Sequence, residues 1–156
     1  MKNLVVILSV ALFVSCSSTE KNTKEIREES VEQTDNLSRN IPPHLIEFAE
    51  QTVSFPNSVY NSINELKALV SEYEIAGNKP DIHSDYIPKF HKKIENFIHD
   101  NEELENNSHP IIIDFCDPFM VILDEIPASQ SQEAFEENIR NAKEYLGSFK
   151  KLFPQE

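Results

Sequence analysis

The chain has 156 residues, of which 27 are aspartate or glutamate and 14 are lysine or arginine, so its formal net charge at pH 7 is −13. This excess of carboxylates argues against nucleic acid as a partner, because affinity for nucleic acid comes largely from Lys and Arg side chains that neutralise phosphates. Anionic lipid headgroups would also repel the chain. The composition therefore favours a basic protein or a cation as the partner.

The N-terminal residues have the organisation of a secretory signal. Lys2 provides a basic head, residues 4–14 are apolar apart from Ser9, and the small Ser15 directly precedes Cys16. The apolar run is too short to cross a hydrocarbon core of ~30 Å as a helix. We therefore interpret residues 1–15 as a cleaved signal peptide and not as a permanent membrane span.

The cysteine at the end of this signal makes the pattern more specific. The segment Phe13-Val14-Ser15-Cys16 resembles the lipobox of bacterial lipoproteins, with Phe13 and Val14 where the strict pattern has Leu and a small residue. In such lipoproteins the cysteine is acylated and becomes the new N-terminus. The resemblance implies that Cys16 carries lipid, with acyl chains such as palmitate, and that these chains attach the protein to a membrane. The alternative is an ordinary secretory signal that contains a cysteine.

The residue after the cysteine bears on which membrane is used. In some lipoproteins an aspartate at this position holds the protein in the inner membrane, whereas here Ser17 follows Cys16. By that resemblance we expect a cell-envelope protein anchored in the outer membrane, with its domain facing the periplasm.

The segment at residues 16–40 is polar and predicts a tether. Between residues 17 and 40 it contains six acidic and four basic residues, and its sizeable apolar side chains are only Ile26, Val31 and Leu37. Too little apolar surface is available to offset the entropy that ordering would cost. We expect a flexible coil after the acylated cysteine, with an end-to-end distance of roughly 25–30 Å.

Residues 41–156 form the predicted domain, with 21 acidic and 9 basic residues and a net charge of −12. Pro42 and Pro43 favour the start of a short helix, predicted at 44–52. Apolar residues then recur every three or four positions in four longer segments. These predict helices at 57–76, at 84–105, from 108 to the residue before Pro127, and from a cap at Ser129 or Ser131 to Phe153.

The apolar stripe on each of these helices must be buried against a neighbour, and short loops place consecutive helices antiparallel. The fold class predicted is therefore all-α, an antiparallel up-down-up-down four-helix bundle preceded by a short helix.

Two residues break the local rules of this pattern. Pro118 lies midway along the third long helix, where a proline removes one hydrogen bond and crowds the carbonyl of Asp114, so we expect a kink or a split. Gly147 lies inside the fourth long helix at a cost of ~1 kcal/mol relative to alanine. It serves either a close approach of two helices or, opposite a bend at Pro118, a small pocket. The candidate pocket residues are Asp114, Cys116, Pro118 and Gly147.

Asp81, His83 and Asp85 form the candidate ligand or metal site. In an extended loop, alternate residues direct their side chains to the same side, so two carboxylates and an imidazole would face one cation. The alternative is that Asp81, Ser84 and Asp85 compete to cap the helix that follows.

No catalytic motif is present in the sequence. With Gly77 and Gly147 as the chain's two glycines, it has no phosphate-cradling loop, dinucleotide fingerprint or nucleophile elbow. It also lacks the Glu-x-x-His pairs of di-iron bundles. With Cys16 acylated, Cys116 has no disulfide partner, and its apolar setting predicts a buried thiol. We therefore expect no enzymatic activity and no cofactor.

These expectations support two hypotheses of function. The first is a lipid-anchored, non-catalytic module that contacts another envelope protein with a basic face, for example as an immunity or inhibitor lipoprotein. The second is a periplasmic four-helix bundle that binds a small ligand or a metal ion. Binding that weakens steeply with salt indicates the first, whereas a ligand-induced rise in melting temperature regardless of salt indicates the second.

Overall fold

The computed structural model describes residues 40–51, 53–104 and 108–155. Five α-helices occur in this part of the chain, and no strand does, so the predicted all-α class is confirmed there. Their bounds are α1 Pro43–Ala49, α2 Asn57–Ala76, α3 Pro80–His99, α4 Ser108–Glu125 and α5 Gln132–Leu152. The predicted signal peptide, Cys16 and residues 17–39 of the predicted tether lie outside the described residues.

The ends of α2 and α5 follow the signals in the sequence. Gly77 follows the last residue of α2 with a φ of 90°, a conformation that favours glycine. At the start of α5 the Ser131 hydroxyl accepts a hydrogen bond of 3.1 Å from the Ala134 N–H, so Ser131 and not Ser129 is the cap. Both helices therefore begin and end close to their predicted positions.

Helix α3 begins earlier and ends earlier than the prediction of 84–105. Pro80 occupies its first turn, where the missing N–H costs nothing, and Lys79 before it is extended. The helix ends at His99, and residues 100–103 continue as turns. The expectation of an extended loop at residues 81–85 is thus wrong, because Pro80 starts the helix before that segment.

Helix α4 continues through Pro118 without the split that its position predicted. Pro118 lies towards solvent, while Phe115, Phe119 and Ile122 of the same helix are buried. Burial of these three side chains holds both halves of α4 against the core, which offsets the hydrogen bond that the proline removes.

The four long helices pack around a shared apolar core. Helix α2 packs against α3 and α5, and α4 packs against α3 and α5, so each long helix contacts two others. The short α1 contacts α4 and α5 and inserts Leu45, which is fully buried. Aromatic rings fill the centre: the Phe115 ring lies 4.7 Å from that of Tyr145 and 4.9 Å from that of Phe149. The core is thus aromatic and continuous across all five helices.

The two glycines of the chain give opposite predictions when replaced by alanine. A Cβ on Gly147 would meet no atom within 4 Å, so Gly147→Ala should raise the free energy of unfolding by about 0.5–1 kcal/mol through its higher helix propensity. Gly77→Ala is the matched control, since its φ of +90° strains any L side chain and should lower that free energy. Urea unfolding of both variants measures the two changes. A loss of stability in Gly147→Ala would contradict the open space seen at that position.

Candidate functional site

The predicted ligand set Asp81, His83 and Asp85 lies in the first turns of α3 and is not assembled around a common point. Asp81 and Asp85 are exposed, and Asp85 instead pairs with Lys89 one turn along the helix. Both ring nitrogens of His83 are occupied by protein groups. In a helix, residues two apart point in different directions, so the helical start of α3 turns His83 away from both Asp81 and Asp85.

His83 instead joins Tyr73 and Asn78 in a hydrogen-bonded corner between α2 and α3. The Tyr73 hydroxyl lies 2.6 Å from His83 Nδ1, and His83 Nε2 lies 2.9 Å from Asn78 Oδ1. Since Asn78 Oδ1 can only accept, Nε2 donates to it and Nδ1 accepts from the tyrosine. Burial raises the pKa of Tyr73 from 10.0 to about 12, which keeps this hydroxyl a donor. Both ring nitrogens of His83 are thus engaged in hydrogen bonds within the protein.

Removing the tyrosine hydroxyl should therefore destabilise the fold. We expect Tyr73→Phe to lower the free energy of unfolding by about 1–2 kcal/mol, because His83 Nδ1 loses its donor. Tyr86→Phe is the matched control: its ring stacks on Tyr73 at 5.0 Å, but its hydroxyl makes no hydrogen bond within the described residues. Urea unfolding at pH 7 compares the two variants. Equal changes in both would show that the hydrogen bond from Tyr73 to His83 adds nothing to the stability of this corner.

The predicted pocket residues Asp114, Cys116, Pro118 and Gly147 have different surroundings in the described part of the chain. Asp114 pairs with His44 of α1, whose Nε2 lies 3.1 Å from its Oδ2. Cys116 is a free thiol, 1% exposed, on the core side of α4. Gly147 has open space at its Cα and makes no close helix approach. Pro118 alone of the four lines a groove on the surface of α4, because an unbroken α4 turns Cys116 and Pro118 to different sides.

The outward face of α4 is an acidic surface with a groove along it. At about 100° of rotation per residue, six of its solvent-facing residues fall within an arc of about 120°. We call this arc the α4 face, and its members are Asp114, Asp117, Pro118, Val121, Asp124 and Glu125. Helix α4 contains no lysine or arginine. The α4 face therefore presents carboxylates around a small apolar centre.

An open groove of about 470 Å³ lies along this face. Its lining residues are Asn40, Asp117, Pro118, Val121, Ile122 and Glu125. Val121 is 61% exposed, and Ile75 is the other large apolar side chain exposed among residues 40–51, 53–104 and 108–155. Ile75 lies alone near the end of α2, whereas Val121 lies inside a groove. An apolar side chain of a partner that enters the groove would therefore contact Val121.

The negative charge of the α4 face is uncompensated at its centre. Asp114 has His44 as its neighbour, and Asp124 has His91, whose Nε2 lies 3.4 Å from its Oδ1 without the alignment of a hydrogen bond. The carboxylates of Asp117 and Glu125 make no ion pair with any other described residue. The two acidic side chains that line the groove are thus the two acids of this face that have no ionic partner among the described residues.

A second groove, between α2 and α5, differs in the charge of its lining residues. It also measures about 470 Å³, but it contains Arg140 and Lys143 together with acidic residues. Lys143 pairs with Glu74, and Arg140 pairs with Glu137. The two acidic lining residues Glu74 and Glu136 balance these two cations, so the second groove carries no net charge and the α4 groove is the more acidic of the two.

The described residues offer no support for a metal site or for a membrane-spanning helix. Nowhere in them do three His, Cys, Asp or Glu side chains come close enough together to hold a metal ion. None of the described helices combines the length and apolarity that a membrane span requires.

In comparisons with protein-family models, curated proteins and solved structures, none matches this chain.

Proposed function

We propose that this chain is a lipid-anchored, non-enzymatic interaction module of the bacterial cell envelope, and that its partner is a basic protein. The observation that carries the proposal is the α4 face, where Asp117 and Glu125 lie beside the exposed Val121 and have no ionic partner within residues 40–51, 53–104 and 108–155. Complementary charge accelerates encounter and selects partners, and an apolar contact adds affinity. An immunity or inhibitor lipoprotein that occupies a basic toxin or hydrolase is a concrete version of this function.

We further propose that the four long helices form the antiparallel up-down-up-down bundle that the sequence predicts. The supporting observations are that each long helix packs against two others and that the connections at 77–79 and 126–131 are short. A bundle of this kind would hold the α4 face on a rigid helix. Rigid presentation limits the entropy lost on binding.

The location of the protein is proposed from its N-terminal sequence alone. Acylation of Cys16 would attach it to a membrane, with the outer membrane favoured by Ser17, and residues 16–40 would serve as the tether. The net charge of −12 on residues 41–156 would keep the domain away from anionic lipid. The α4 face would then be available to an envelope protein.

The absence of catalytic activity is likewise a proposal, and one observation on the thiol supports it. Burial, with a smaller contribution from Asp117, raises the pKa of Cys116 from 9.0 to about 12. A thiol with such a pKa is protonated at neutral pH and is a poor nucleophile. No observation in the described residues favours the metal- or ligand-binding alternative.

Native mass spectrometry tests the proposed function directly. The tagged full chain is recovered from its own cell envelope in mild detergent at low salt. We expect the mass of the chain from Cys16 with its acyl groups, together with a stoichiometric second protein of basic charge that dissociates as salt is raised. A metal ion or small molecule bound in place of a second protein would contradict the proposal and support the alternative function.

A further inference from the structure

We propose that the groove of the α4 face binds an extended basic segment of the partner with the pattern Lys/Arg-x-apolar-x-Lys/Arg. This inference rests on the proposed function and deepens it, because it names the surface and the sequence chemistry that the surface accepts. The apolar side chain of the segment would contact Pro118 and Val121, and its two cations would pair with Asp117 and Glu125.

The spacing of the groove residues sets the spacing of the segment. Asp117, Val121 and Glu125 follow one another at intervals of four residues on α4, so the two carboxylate positions are separated by about 12 Å along the helix axis. An extended chain rises about 3.3 Å per residue, so residues four apart span about 13 Å. Alternate residues of an extended chain face the same side. Cations at the first and fifth positions, with an apolar residue at the third, therefore match the acid–valine–acid order of the groove.

The charges of the groove exclude two other occupants. A second copy of this chain that docked symmetrically through the same face would place the same carboxylates opposite each other, which costs affinity. The chain's own residues 17–39 contain Lys24 and Ile26 in the required register, but Glu28 stands where the second cation is needed. A basic segment of a different protein is the occupant that satisfies both acids.

A synthetic peptide tests the inference on the full chain in mild detergent. The probe is fluorescein-labelled Ser-Arg-Thr-Leu-Thr-Arg-Ser with an amidated C-terminus, and its dissociation constant is measured by anisotropy at low salt. Peptides with glycine in place of leucine, or with both arginines moved next to the leucine, are the matched probes. We expect each change to weaken binding by about tenfold, since each removes an apolar contact or a charge pairing.

Variants of the protein locate the binding. We expect Val121→Ser and the double variant Asp117→Asn with Glu125→Gln each to weaken peptide binding by about tenfold. In the double variant, peptide binding should also depend less on the salt concentration. Glu95→Gln with Glu144→Gln is the control: it removes the same charge from exposed positions on α3 and α5 and should change the affinity less than twofold. Circular dichroism melting checks that all variants remain folded.

The outcomes separate this inference from the proposed function. Equal weakening by the two double variants, or equal binding of the leucine and glycine peptides, would overturn the groove as the docking site. If the peptide fails to bind while a basic envelope protein still copurifies with the chain in a salt-sensitive way, only the groove is excluded. If no basic partner copurifies and no basic peptide binds, both the inference and the proposed function fail.

Discussion

Changing Cys16 to serine should abolish the attachment of lipid to the protein. Serine lacks the thiol on which the lipidation implied by the lipobox resemblance depends. Incorporation of a labelled palmitate analogue and sedimentation of membranes, both in the native host, measure the effect.

The second cysteine of the chain supplies the matched control. Cys116→Ala removes the other thiol of the protein, which is buried in the core and out of reach of a lipid-transferring enzyme. This variant should still incorporate the label and sediment with membranes. Retention of Cys16→Ser in the membrane fraction, with label still incorporated, would show that Cys16 is not the attachment site.

The bounds of a helix could be predicted where the capping residues and the regular spacing of the apolar residues indicated the same ends. The run of apolar residues from Val59 to Tyr73, stopped by Gly77, predicted α2, and the Ser131 cap predicted α5. The start of α3 was missed because Ser84 and Asp85 are better cap residues than Lys79, which occupies the cap position. A proline in the first turn and a short connection from α2 outweighed that preference.

The α4 face was only partly predictable from the sequence. Its acids recur at helical spacing from Asp114 to Glu125 with no intervening lysine or arginine, and this charge pattern is visible without a structure. Val121 is different, because it is one more apolar residue in an apolar helix. Only the packing of α4 against α3 and α5 shows that Val121 lies on the solvent side. The pocket suggested around Gly147 stays a prediction: it was inferred from a break at Pro118, and α4 runs through that residue without one.

Alkaline pH should destabilise the fold through Cys116, and the effect should begin near pH 9. Burial, and secondarily the charge of Asp117, raises the pKa of this thiol from 9.0 to about 12. The thiol of the unfolded chain therefore ionises before that of the folded protein, and its release of a proton favours unfolding. Stability that is intact below pH 9 is lost as the pH rises towards 12, by at most about 4 kcal/mol over that range.

The interval from pH 9 to pH 10 isolates the thiol from the other buried groups that titrate. Burial also raises the pKa of Tyr73 and of Tyr145, so these hydroxyls reduce stability only above their ordinary value of 10.0. We expect urea unfolding of the natural chain to lose about 1 kcal/mol between pH 9 and pH 10, and Cys116→Ala to remove most of this slope. Tyr145→Phe should keep the slope below pH 10 and flatten it only above. A slope below pH 10 that persists unchanged in Cys116→Ala would mean that another group, and not the buried thiol, links this fold to alkaline pH.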